Sequence, residues 1–405
     1  MKNTITTGRH TLAFIMICSM AIQAFVRYPS QLVSANEVTI QDRPFEMLIF
    51  GDSVIWGQGL NDEEKFSRLV KKKIEAKYLG RVVNLEDLSH SGATIVASKK
   101  FKVPDDAFED LHGEVPRPTP TLWAQLEAAR KKYDCHQKIR NKHLYECSKP
   151  VDLILMNGGI NDVGIQSLVN PFYCDWTIAW FTKRRIRKYC HHEMQKFLKA
   201  VSDTFGDATV VVAGYYPIIC PGTKMDRIKE LISSYLSPRD SNWPDETSRD
   251  LEKLESEKRR RKVENPKESW LVKRLSKISN IWKTTSDEAL EQSVKEVNSQ
   301  TGSSKAVFVK VDFGPNECYA GSETKLWEIS GFTPGQGLES NDLKGAVRAV
   351  ACPESRRKMA TANIDPFFRL MLNSICPAAG SGHPNIAGSQ KYSDAVWNRV
   401  EPLLQ

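Results

Sequence analysis

Four short stretches of this chain carry residue types that together can move an acyl group. The first is Phe50-Gly51-Asp52-Ser53-Val54-Ile55-Trp56-Gly57-Gln58-Gly59. It puts a hydroxyl nucleophile just past an apolar run, at a strand-to-helix turn whose backbone N–H groups can face a developing anion. The second, Ser89-His90-Ser91-Gly92-Ala93-Thr94, offers a glycine whose backbone N–H can come close to a ligand. The third, Asn157-Gly158-Gly159-Ile160-Asn161-Asp162, adds a side-chain amide able to donate to the same oxygen. The fourth, Ser381-Gly382-His383-Pro384-Asn385, supplies an imidazole that can take the serine proton. Taken singly, each has a plain structural reading: a serine after a strand caps a helix, and Asn161 can do the same through its side chain. Only convergence of Ser53, Gly92, Asn161 and His383 would make chemistry of them.

Convergence requires a scaffold that brings strand ends together. Short apolar runs at Met47–Phe50, Val82–Leu88, Val151–Met156, Thr209–Tyr215 and Ala306–Val311 alternate with longer charged segments of helical period, the pattern of a parallel sheet with crossover helices. The class is α/β, and an open parallel sheet carries its ligands at the carboxyl ends of its strands. Phe66, Leu69, Val70, Ile74 and Tyr78 form one helical stripe, and others run through Trp123–Lys132, Met194–Val201, Ala289–Val297 and Ser389–Val400. The alternation is interrupted from about residue 220 to 286. That charged helical insertion contains Lys258-Arg259-Arg260-Arg261-Lys262 and then one apolar face, Trp270, Leu271, Leu275, Ile278 and Trp282, expected to dock on the body.

Ile55 stands where the nucleophile elbow of an α/β-hydrolase wants a second glycine, which disfavours that family. The ordered set instead resembles the SGNH hydrolase superfamily, the GDSL esterases and lipases, through Gly51-Asp52-Ser53, Gly92, Gly159-Ile160-Asn161-Asp162 and His383-Pro384-Asn385. The resemblance spans roughly residues 47 to 400. It implies a three-layer α/β/α sandwich on a five-stranded parallel sheet, flavodoxin-like in its winding. It further implies Ser53 as nucleophile, His383 as general base, and an oxyanion hole made by the backbone N–H groups of Ser53 and Gly92 with the Asn161 amide. No cofactor and no metal are implied. One departure stands out: the family's usual acid three residues before the histidine is Gly380 here. Loss of a triad carboxylate can cost a serine protease about 10⁴ in kcat, so something else must orient His383. A main-chain carbonyl around Ala379–Gly380 is expected, with Asp365 as the second choice, and the gap lends weight to a protein that binds without catalysing. Asp52 and Asp162 read as structural residues bonded within their turns, and His90 as an incidental loop residue.

The remaining features bear on where the protein works. With 405 residues, 57 Lys+Arg and 49 Asp+Glu, the chain is long enough to bury a substantial core. A basic leader, an apolar stretch from Thr11 to Phe25 and the Val33-Ser34-Ala35 run read as a secretory signal peptide over residues 1–35, with the hydrolase domain over 36–405. Its removal takes the net charge from +8 to +5, too little to indicate a nucleic-acid partner. That surplus is compatible with peripheral contact with an anionic envelope surface. Cys18 leaves with the signal and eight cysteines remain; in an oxidising compartment they are expected to pair, Cys135 with Cys147 and Cys174 with Cys190. Between Pro171 and Lys188 aromatics, among them Trp176 and Trp180, precede a run of cations. This segment reads either as an apolar acyl slot with a basic rim or as core tryptophans beside solvated charge. The expectation is a secreted or periplasmic ester hydrolase acting on lipid or other small acyl esters. A carbohydrate O-acetyl esterase and a silent envelope-binding protein are the alternatives.

Overall fold

The computed structural model describes residues 43–97, 111–139, 141–169, 178–228, 270–333, 337–362 and 375–404; the signal segment, the Lys258–Lys262 run, Trp176, Cys174 and Asp365 lie outside them. Five strands form one all-parallel sheet: β1 (Phe45–Phe50), β2 (Val83–Asp87), β5 (Leu153–Met156), β6 (Thr209–Ala213) and β7 (Ala306–Val309), in the order β2-β1-β5-β6-β7. Each occupies one of the expected apolar runs, β1 starting two residues earlier and the others trimmed by a few residues. Buried on both faces, such strands are apolar almost throughout, and Met47, Leu48, Ile49 and Phe50 are fully enclosed. Two antiparallel hairpins that the alternation of runs did not reveal, β3 (Cys135–Lys138) with β4 (Asn141–Cys147) and β8 (Ile329–Thr333) with β9 (Gly337–Ser340), stand apart from the sheet.

Helices cover both faces. Following α1 (Ser53–Trp56), α2 (Phe66–Lys77) packs with the C-terminal α9 (Ile386–Val400) on one side. On the other lie α3 (Leu122–Lys132), α6 (Met194–Thr204), which continues a helical run from Ile178, and α7 (Trp270–Thr301). The stripes face inward as their spacing requires: Phe66, Val70 and Ile74 of α2, Phe197 and Val201 of α6, and Tyr392, Val396 and Val400 of α9 are buried. The architecture is therefore a three-layer α/β/α sandwich. The two stripes of the expected insertion and of Ala289–Val297 belong to one 32-residue helix, α7, which neither glycine nor proline interrupts. Leu271, Leu275, Ile278 and Trp282 dock on the body, and the Trp282 ring lies 5.1 Å from that of Tyr215, behind the end of β1.

Three disulfides tie the described chain. Cys135–Cys147 closes the β3–β4 hairpin as expected, while Cys220–Cys318 and Cys352–Cys376 join segments distant in sequence. The expectation for Cys190 is overturned: it is a free, buried thiol. It sits where a Cβ on Gly159 would come within 2.7 Å of its sulfur, so the thiol acts as packing.

Candidate active site

The chain order reverses between β1 and β5, which opens a crevice at their carboxyl ends. Ser53 follows β1 and Asn161 follows β5. Gly51 turns the chain at φ +144°, and a Cβ there would lie 2.6 Å from the Ile55 side chain, so only glycine fits. Asp52 then caps α1 by accepting from the Val54 N–H at 2.9 Å. It also accepts from Asn157 Nδ2 at 3.0 Å and from the Tyr215 hydroxyl at 2.7 Å, so the carboxylate fixes the turn beneath Ser53. Burial pushes its pKa up and these three bonds pull it back. Asp52 is structural, as expected, and reaches well beyond its own turn.

Ser53 is nearly buried, and its Oγ lies 2.7 Å from His383 Nε2. The histidine turn is gripped by the chain around Trp327: Gly382 N–H donates to the Trp327 carbonyl at 2.9 Å and Trp327 N–H to the His383 carbonyl at 2.8 Å. From beyond β6 the Tyr216 hydroxyl donates to the Gly382 carbonyl at 2.8 Å, and Asn385 caps α9 by accepting from Gly388 N–H at 3.0 Å. The imidazole is half-buried, with the serine on one side and protein packed on the rest; burial drops its pKa to about 4, and the charge of Arg348 adds to the drop. The carbonyls of Gly380, Ser381 and Ala379 stand close enough to favour protonation, which is where a main-chain acceptor was expected. None is aligned to accept from Nδ1, which has no hydrogen-bond partner.

Gly92 adopts φ +81°, and a Cβ on it would stand 2.5 Å from the Arg117 backbone nitrogen; glycine is required so that the loop after β2 can lie against residues 111–119. Its N–H and that of Ser53 meet no acceptor among the described residues. His90 is no incidental residue. It is buried, with Nδ1 2.8 Å from the Ser91 carbonyl and Nε2 2.8 Å from the Pro120 carbonyl, a strut across the glycine loop. Burial and the neighbouring Arg117 charge lower its pKa to about 4. Asn161 lies inside the short helix α4 (Ile160–Val163) rather than at its cap, and its Nδ2 donates to the Ala93 carbonyl at 2.9 Å. Asp162 reaches beyond its own turn to the glycine loop, accepting from Ile95 N–H at 2.9 Å. Burial raises its pKa to about 7.

All four expected residues, Ser53, Gly92, Asn161 and His383, line one small cavity of about 70 Å³. Its remaining wall is largely apolar, with Val54, Ile160, Ile165, Val169, Ile218 and Ile375, and also carries Ser91, Tyr216 and Ser381. A roomier cavity of about 690 Å³ lies under the β3–β4 hairpin at the opposite, amino-terminal ends of β6 and β7. Its lysines 196, 199 and 305 are each paired with an acid, so it offers no comparable chemistry. Trp180 is neither core nor cavity lining: it is 46% exposed, with Arg184 over its ring. His191 pairs with Glu296 at 2.9 Å, and among the described residues no three potential ligands are grouped for a metal. Sequence reasoning missed Glu114, Asp342 and Arg348, a buried ion cluster behind Ser53 and His383; Arg348 sits on a helix six residues after Asp342, and no local spacing encodes their meeting with Glu114, 234 positions away.

No protein-family model matches the chain, and no curated protein does. Among solved structures it is similar to an extracellular lipase from Streptomyces rimosus, at 11% identity and a TM-score of 0.40 over 88% of this chain and 99% of that one. It is also similar to an acetyl-xylooligosaccharide esterase from Geobacillus, at 12% identity and a TM-score of 0.31 over 88% and 94%. A third is a psychrotrophic esterase from Pseudoalteromonas, at 14% identity and a TM-score of 0.24 over 65% and 76%. At these identities and TM-scores the likeness gives no residue a role, and the chain is similar in outline to esterases and lipases of known structure.

Proposed function

We propose that the protein is an exported serine ester hydrolase of the SGNH type. One observation carries this: residues 330 positions apart put a serine hydroxyl 2.7 Å from an imidazole nitrogen, at the strand ends where an open α/β sheet binds its ligands. Ser53 Oγ attacks the acyl carbonyl while His383 Nε2 takes its proton and then passes it to the departing alcohol. Water, deprotonated by the same nitrogen, releases the acid and restores Ser53. The oxyanion is held by the N–H groups of Ser53 and Gly92 and by the second N–H of Asn161, whose first is committed to Ala93. The carbonyls of Ala379, Gly380 and Ser381 take over the orienting task of a triad carboxylate, with a small adjustment bringing one of them to Nδ1 on substrate binding. Neither cofactor nor metal enters the steps.

The acyl group is apolar, matching the cavity wall, and lipid or other acyl esters are the substrates. The small cavity favours a second reading, an acetyl ester of a carbohydrate. Three disulfides and the basic, apolar leader support export. Exposed Trp180 and Phe181 beside Arg184 and Arg187 support peripheral contact with an anionic surface. A fluorophosphonate probe and a series of p-nitrophenyl esters test the proposal. Labelling and turnover should both vanish in Ser53→Ala, and acyl chain length at peak activity separates the two substrates. A wild-type protein that is neither labelled nor active would make it a binding protein.

A further inference from the structure

Arg348, in α8 (Gly345–Thr361), is fully buried and spends every guanidinium nitrogen on a different piece of chain. Nε donates to the Pro377 carbonyl at 3.1 Å, in the segment leading to His383. Nη2 donates to Asp342, whose carboxylate is packed so tightly on Gly380 that a Cβ there would overlap it. Nη1 donates to Glu114 at 3.0 Å. Glu114 in turn accepts from Trp56 Nε1 at 3.0 Å, at the end of the helix that Ser53 opens, and from Gln58 Nε2 at 2.7 Å just past it. Gly113, its neighbour, accepts from Ser91 N–H at 2.9 Å, beside Gly92. One cation thus joins the nucleophile, oxyanion and histidine segments.

We propose that Arg348 is a positioning residue for the reaction, its planar fork setting the separation of the Ser53 and His383 turns through Glu114 on one side and Pro377 and Asp342 on the other. This rests on the hydrolase reading of Ser53 and His383. Lysine cannot substitute, because a point charge on a flexible stem makes no fixed fork. Burial holds the imidazole pKa down, and the charge of the same cation adds to that drop. Asp342 and Glu114 share the cluster with Arg348, Asp52 accepts from Tyr215 beneath Ser53, and the Tyr216 hydroxyl donates to the Gly382 carbonyl beside the histidine.

The test compares Arg348→Lys and Arg348→Met with wild type, using p-nitrophenyl acetate across pH. In Arg348→Lys, kcat should fall about tenfold with KM within about twofold, and the acid limb should stay in place because the charge remains. In Arg348→Met the acid limb should also move to higher pH. A folded Lys variant with wild-type kcat overturns the proposal, and so does a folded Met variant with an unmoved acid limb. A role confined to stability would lower the melting temperature alone. If Arg348→Met does not fold, the Lys variant decides. An NMR titration of the His383 ring in Ser53→Ala, with and without Arg348→Lys, needs no turnover: a ring shift perturbed at constant midpoint is expected, and identical spectra refute it. Wild type that neither hydrolyses nor labels sinks the hydrolase reading alone, and the titration still tests whether Arg348 places the ring.

Discussion

An acid placed at Gly380, where the family the sequence resembles usually carries one, should damage the protein rather than improve it. In Gly380→Asp the new Cβ would fall on the Asp342 carboxylate and within 2.8 Å of Ser340 Oγ. Gly380 is not among the glycines with positive φ, so the backbone tolerates a side chain and the cost lies in the surroundings. Overpacking a filled site costs about 1–3 kcal/mol. A third buried carboxylate beside Asp342 and Glu114, with Arg348 as the cluster's cation, must either stay protonated or repel its neighbours, adding roughly 1–3 kcal/mol. The sum, about 2–6 kcal/mol, is a large part of the 5–15 kcal/mol typical of a domain. Urea denaturation should show that loss, and kcat for p-nitrophenyl acetate should drop at least about tenfold as the His383 turn is displaced. Adding Asp342→Gly should recover part of both. A single variant as stable as wild type and more active would refute the reasoning, since the position would then be open to an acid that orients His383.

Other expectations follow from the same geometry. Gly92→Ala, with its Cβ driven toward the Arg117 backbone at φ +81°, should cut kcat by about 10²–10³ with little change in KM; steady-state kinetics on a variant shown to be folded checks this. With the His383 pKa lowered to about 4, the acid limb of kcat/KM should fall near pH 4–5 rather than at 6.5, so a limb near 6.5 would contradict the burial argument. His90 also sits at about 4 in the folded chain against 6.5 unfolded. The unfolded chain therefore binds the proton first as pH falls, and the stability His90 contributes is complete above pH 6.5 and lost toward pH 4. The penalty of His90→Gln, measured by denaturation, should accordingly shrink by up to roughly 3 kcal/mol between pH 7.5 and 4. Taking the difference between variant and wild type cancels Asp162 and Asp287, whose raised pKa values act in the opposite sense.

The amino-acid sequence by itself determined the strands and helices of the sandwich, because burial on both faces makes most strands near-continuous apolar runs, the edge strand β2 enclosing only Val83, and packing on one face makes each helix a stripe. It also marked Ser53, Gly92, Asn161 and His383, because turns at strand ends need glycine and small polar residues that stand out against those runs. Cys135–Cys147 was legible because its loop is short. Only tertiary structure decided the rest. Cys190 had no local sign that Gly159 would leave room for a thiol and not a disulfide, and His90 none that two carbonyls would close on it. Arg348 was one arginine among many until the segments of Glu114 and Pro377 folded onto it beside the nearby Asp342. Side-chain periodicity reports which face of one element is buried. It carries no information on which loops meet, and it is there that the buried charges of this protein find their partners.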